Sequence, residues 1–101
     1  MFEEIAKQWI EEMQERGKAG PMEPDEINRF VNDYARRIEA IYDSEVSRQM
    51  QHRGKDDEYD RMKLYDTQYM SKYLNQAIPG FPGFKMEILA KAKRIILGEL
   101  D

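Results

Sequence analysis

Residues 2–16, FEEIAKQWIEEMQER, carry the pattern that decides the fold class. Their apolar side chains recur at steps of three and four residues, which places them on one face of a helix. Glutamates occupy the opposite face, and Glu3 and Glu4 favour the positive end of the helix dipole. Gly17 is the expected residue after the helix end, since glycine enters the left-handed conformation without a Cβ clash. The apolar face consists of Phe2, Ile5, Ala6, Trp9, Ile10 and Met13.

The same spacing continues outward from this stretch, and no run alternates with a period of two for long enough to predict a strand. A second helix is predicted from about Pro24 to about His52, because proline suits the first turn, where its missing N–H is not needed. Glu45 and Gln49 enter its apolar arc beyond Tyr42. We therefore expect the last turns to project from the body or to meet another chain. The apolar stripe consists of Ile27, Phe30, Val31, Tyr34, Ile38, Ile41 and Tyr42.

A third helical region is predicted over about 55–77, after a break at Gly54. This region is one helix or two, because the Asp66 carboxylate could cap a new helix that begins at Thr67. Residues 78–84, IPGFPGF, contain two Pro-Gly-Phe triplets. Their prolines and glycines predict an irregular connection instead of a regular helix.

The final helix, predicted over about 84–98, is the most apolar segment of the chain. Beside its main stripe it carries Met86, Ala90 and Leu97, so we expect burial on two sides, either centrally or at an interface between copies. We therefore predict an all-α fold for residues 1–101 as a single small domain. It would be an irregular bundle of about four helices, with the C-terminal helix most buried. The main stripe of this helix consists of Phe84, Ile88, Leu89, Ala92, Ile95 and Ile96.

A homodimer is a further hypothesis, because a chain of this size has only a few kcal/mol of net stability. Its interface would use the apolar final helix or the end of the second helix.

The net charge of the chain does not indicate a nucleic-acid partner. The sequence has 16 basic and 20 acidic residues, and a net charge of -4 is too mild to predict such a partner by itself.

Composition excludes several classes of protein. The chain contains no cysteine, which excludes disulfides, thiolate catalysis and cysteine-ligated metal sites. Its acidic N-terminal segment is unlike a signal peptide, and no stretch approaches the ~20 apolar residues that span a bilayer. We expect a cytoplasmic protein without a membrane partner and without a cofactor.

The sequence contains few groups of residues that could form a catalytic site. The only histidine, His52, could meet Asp56 one turn on if the helix continued through Gly54, but a solvated histidine at a helix end explains it better. Pairs of carboxylates one helical turn apart could hold a divalent metal for a hydrolase, but a solvated charged face explains them as well. We therefore expect a protein that is not an enzyme, with no catalytic residue and no metal site. The carboxylate pairs are Glu39 with Asp43 and Glu11 with Glu15.

Tyrosine and methionine crowd the third helical region, and this is the most distinctive feature of the sequence. Tyrosine is enriched at binding surfaces, and methionine adapts to irregular partners. The Pro-Gly-Phe turns could add a phenylalanine anchor. The alternative is that these rings pack the bundle itself. The predicted partner-binding residues are Tyr59, Met62, Tyr65, Tyr69, Met70, Tyr73 and Phe81.

These features favour a non-enzymatic regulator, inhibitor or adaptor that docks on a larger protein through this surface and nearby acidic helix faces. Small size and the lack of a motif also suit an accessory protein of a phage or mobile element. The alternative is a small nucleic-acid-associated protein that uses Lys91, Lys93 and Arg94. Over residues 81–101, however, four bases stand against three acids, and phosphate binding normally recruits more positive charge.

Overall fold

The computed structural model describes residues 2–64 and 67–98. Helices make up 82% of these residues and none of them lies in a strand, which confirms the all-α prediction. Within each compact unit the helical segments pack against one another. None of the described helices is both long enough and apolar enough to cross a membrane. The helices are α1 (Glu3–Glu15), α2 (Pro24–His52), α3 (Asp56–Met62), α4 (Thr67–Ala77) and α5 (Phe81–Gly98).

The third helical region contains two helices, α3 and α4, which decides between the two alternatives that the sequence left open. Asp66, the proposed cap of the second helix, lies outside the described residues. The expected count of about four helices becomes five among the described residues.

Glycine ends α1 as predicted. The Gly17 N–H donates to the Gln14 carbonyl at 3.1 Å, and the Lys18 N–H donates to the Met13 carbonyl at 2.9 Å. This pair of bonds satisfies carbonyls that a helix end otherwise leaves free, and it requires the left-handed conformation that Gly17 adopts at φ +71°. Gly54, at φ +69°, follows the end of α2 in the same conformation.

The start of α5 corrects a prediction, because residues 81–83 are helical. The Phe81 N–H donates to the Ile78 carbonyl at 3.1 Å, which closes a turn with Pro79 and Gly80 (φ +71°) at its two central positions. That is the residue order a type II turn favours. Pro82 then falls in the first turn of α5, where its missing N–H would have no helical partner anyway.

The described residues form two compact units. The first comprises residues 2–41 and 91–98, so it includes α1, the first part of α2 and the end of α5. Its buried apolar side chains come from all three of these segments, and Ala6, Ile38 and Ala92 are completely inaccessible. They are Phe2, Ala6, Trp9, Ile10, Met13, Tyr34, Ala35, Ile38, Ala92 and Ile96.

The second unit comprises the described residues between 42 and 90. Its core draws on the end of α2, on α3 and α4, on the turn after α4 and on the start of α5. It consists of Val46, Met50, Tyr59, Leu74, Ala77, Ile78, Phe81 and Ile88. The predicted single domain stays a prediction.

Two burial predictions need correction. The end of α2 does not project from its unit, because Val46 and Met50 are 0% exposed. The second stripe of α5 is not buried, because Met86 is 72% exposed and Ala90 is also exposed. Helical period alone shows which side chains share a face, whereas the burial of a face depends on the elements that pack against it.

Candidate functional site

Tyr59 belongs to the core of the second unit, although it was predicted to face a partner. Its ring is 3% exposed, and its hydroxyl donates a hydrogen bond to Asp43 Oδ1 at 2.9 Å. Lys63 Nζ lies 2.9 Å from the same oxygen and 4.7 Å from the centre of the Tyr59 ring. Burial, and then the hydrogen bond to Asp43, raise the pKa of Tyr59 far above its usual value. These contacts join α3 to α2, so Tyr59 is removed from the predicted docking surface.

Phe81 is the second predicted anchor that the structure places in the core. It is 3% exposed, and its ring meets Tyr42 edge to face at a centroid distance of 6.5 Å. The Phe84 ring also meets Phe81 edge to face, at a centroid distance of 6.4 Å. Edge-to-face contacts of this kind stabilise aromatic cores. The Pro-Gly-Phe turn therefore packs one phenylalanine into its own unit.

Tyr69 lies on the outer side of α4 and is 61% exposed. Tyr73 follows one turn later on the same face, and both Tyr73 and Met70 are half-buried. The buried side of α4 carries Leu74 and Ala77. The arrangement follows the 3.6-residue period of the helix, which turns Tyr69 outward when Leu74 points into the core. We call Tyr69, Met70 and Tyr73 the α4 face.

The hydroxyl of Tyr73 has an unusual environment. The oxygen is buried and has no hydrogen-bond partner among the described residues. Burial, followed by the nearby Glu58 carboxylate, raises the pKa of Tyr73 to about 12. Glu58 acts on the hydroxyl as a hydrogen-bonding group and through its charge, although the two groups do not reach full hydrogen-bond geometry. A buried hydroxyl without a partner loses its hydration without compensation.

Leu64 is an exposed apolar residue that sequence reasoning did not single out. It is 86% exposed and lies just beyond the end of α3, where its N–H donates to the Arg61 carbonyl at 3.2 Å. Its position outside any helical stripe was the one signal that could have drawn attention to it. Met62 is half-buried, and Tyr65 lies outside the described residues.

The basic residues of the nucleic-acid alternative are not equally available. Lys93 Nζ donates to Glu12 Oε2 at 2.7 Å within the first unit, so its charge is paired. The hydrogen bond from Lys93 lowers the pKa of Glu12. Arg94 is exposed and Lys91 is half-exposed. Fewer of the predicted basic residues are therefore available to bind phosphate.

Metal-ligating residues do not converge in the part of the chain that the structure describes, where no group of three or more histidines, cysteines or carboxylates could hold an ion. Comparison with family models, with curated proteins and with solved structures gives no match for this chain.

Proposed function

We propose that this protein is a non-enzymatic regulator or adaptor that docks on a larger protein through the α4 face. The observation that carries the proposal is the 61% exposure of the Tyr69 ring. A tyrosine ring offers a large apolar area with few rotatable bonds, and tyrosine is enriched among the residues that dominate binding energy. Met70 and Tyr73, half-buried beside it, would form the adaptable border of such a contact.

Exposed acids in the same unit support a partner that carries basic residues near its apolar contact. Asp56, Asp57 and Asp60 are exposed on α3, and Leu64 is an exposed apolar side chain just beyond them. Opposite charge around an apolar contact raises the association rate and excludes wrong partners more than it adds affinity. The proposed docking surface therefore also includes the exposed acidic residues of α3.

The test is affinity capture from the native host lysate with the wild type and with Tyr69→Ala, each with and without nuclease. We expect one stoichiometric protein that survives nuclease and is lost with Tyr69→Ala. Phe30→Ala is the matched control, since Phe30 is an exposed aromatic residue of the first unit, 40% accessible, and its loss should spare capture. Equal capture by the Tyr69 variant, or capture that disappears with nuclease, contradicts the proposal.

Circular dichroism separates loss of binding from loss of fold. Because Tyr69 is largely exposed, Tyr69→Ala should retain the helical signal of the wild type. Tyr73 is half-buried, so a double alanine variant of both tyrosines would confuse the two effects. A large loss of helicity in the single variant would show that Tyr69 is a packing residue.

A homodimer through α5 remains a second part of the proposal. The exposed Met86 and Ala90 on this helix support it, whereas burial of Val46 and Met50 removes the support for an interface at the end of α2. Sedimentation of the wild type and of Met86→Ser at high micromolar concentration tests it. We expect self-association that Met86→Ser weakens, and a monomeric wild type contradicts it.

A further inference from the structure

Helix α3 is too short and too exposed to be stable by itself. It contains seven residues, and Tyr59 is its only buried one. Isolated helices shorter than about 12 residues are marginal in water, so the helical state of α3 depends on contacts with the rest of its unit. Its other side chains are exposed or half-buried.

The contacts of α3 show that it runs back along the end of α2. At one end the Lys55 N–H donates to the Met50 carbonyl at 2.8 Å. At the other end Tyr59 and Lys63, one turn apart, both reach Asp43. Between these two points α2 presents Val46 and Met50 on the same face as Asp43, three and seven residues further on. Both are 0% exposed, and the two contact points place α3 alongside this buried stretch of α2.

We propose that α3 is a latch: it detaches from α2 as a unit while the rest of the second unit stays folded, and its opening exposes Val46 and Met50. Three residues hold it closed, namely Tyr59, Lys63 and the Asp43 carboxylate that accepts from both. Local opening gives up these contacts, the burial of the Tyr59 ring and the approach of Glu58 to the Tyr73 hydroxyl, whereas unfolding α2 or α4 would break a continuous core. This inference is independent of any binding role of Tyr69.

Hydrogen exchange of the intact protein tests the latch directly. The helical amides of residues 59–63 should exchange at least about tenfold faster than those of residues 46–50, because they open in a smaller unit. Asp43→Asn should accelerate exchange in residues 59–63 by roughly tenfold or more, the effect of losing a bond to a charged group, and leave residues 46–50 nearly unchanged. Asp33→Asn makes the same change of charge at an exposed site on α2 and should have no such effect. Equal exchange in both segments of the wild type overturns the proposal.

Cysteine labelling provides a second readout. Because the chain has no cysteine, a single introduced thiol is unique. Met50→Cys should be labelled slowly, and faster when combined with Tyr59→Phe, which removes the hydroxyl and keeps the ring. Ile38→Cys is the matched control, since Ile38 is also 0% exposed on α2 but belongs to the first unit. If Tyr59→Phe accelerated the labelling of both cysteines, the protein would be unfolding globally. If it accelerated neither, the contacts among Tyr59, Lys63 and Asp43 would not hold α3 closed. Either result overturns the latch.

Discussion

Replacing Ile38 by alanine should strongly destabilise the first unit. Ile38 is completely buried, and the substitution removes three carbon atoms from its side chain. At ~0.8 kcal/mol for each buried carbon, the transfer contribution is about 2.4 kcal/mol. The cavity that remains raises the expected loss in free energy of unfolding to about 3–4 kcal/mol. Because a chain of this size has only a few kcal/mol of net stability, this is a large effect.

Trp9 provides the assay. It is the only tryptophan of the chain, it is 6% exposed, and it belongs to the same unit as Ile38. Its fluorescence therefore follows the unfolding of that unit in urea. With a slope of about 1.5 kcal/mol per molar urea, the midpoint should fall by roughly 2 M in Ile38→Ala.

Ile95→Ala is the control with the same chemical change in the same unit. Ile95 is 43% exposed on α5, so less apolar area is lost, and alanine is the better helix former. The free energy of unfolding should change by less than about 1 kcal/mol. If both variants shifted the midpoint equally, or if Ile38→Ala changed it by less than Ile95→Ala, the core assigned to the first unit would be wrong.

Substitutions also test three further local features. Gly17→Ala should reduce stability by ~1–2 kcal/mol, since Gly17 has a φ of +71°, whereas Gly20→Ala should be neutral or stabilising; thermal melting of both variants measures the difference. Lys93 lowers the pKa of Glu12, so the stabilisation is present above the ordinary pKa of 4.5 and is lost as pH falls through the lower folded value. Glu12→Gln should therefore lower the melting temperature slightly at neutral pH, by the equivalent of at most about 1 kcal/mol because both partners are exposed, and the difference should vanish in acid. Tyr73→Phe should leave the melting temperature unchanged or raise it, because the hydroxyl that it removes is buried without a partner; a clear loss of stability would reveal a hydrogen bond there.

Local signals in the sequence were sufficient for the fold class and for several helix ends. The apolar spacing of α1 and the glycine after it are interactions within one stretch of chain, and both appear in the structure as expected. The sequence predicts that α5 begins at about residue 84, whereas it begins at Phe81, because proline is compatible with the first turn of a helix. Whether Pro82 is compatible with a helix therefore depends on its position in the helix and not on its residue type alone.

Long-range packing is what the sequence could not show. Glu45 and Gln49 suggested that the end of α2 leaves the core, yet Val46 and Met50 on that segment are completely buried. Such burial requires other elements to pack on α2, and the hydrogen bond between Tyr59 and Asp43, which spans 16 residues, shows that α3 is one element that turns back along it. Helical period describes one element at a time, so it cannot predict which second element covers its face.

The contrast between Tyr59 and Tyr69 shows why the candidate site needed the structure. Both tyrosines come from the same Tyr/Met-rich region and were predicted to act together on one surface. Tyr59 is held in the core because Asp43 satisfies its hydroxyl, so burying the ring leaves no unpaired polar group. Tyr69 lies on the outer side of α4, which leaves its ring accessible. A cluster of one residue type therefore contains both a structural and a surface role, and a substitution that removes both tyrosines at once would be unable to tell the two apart.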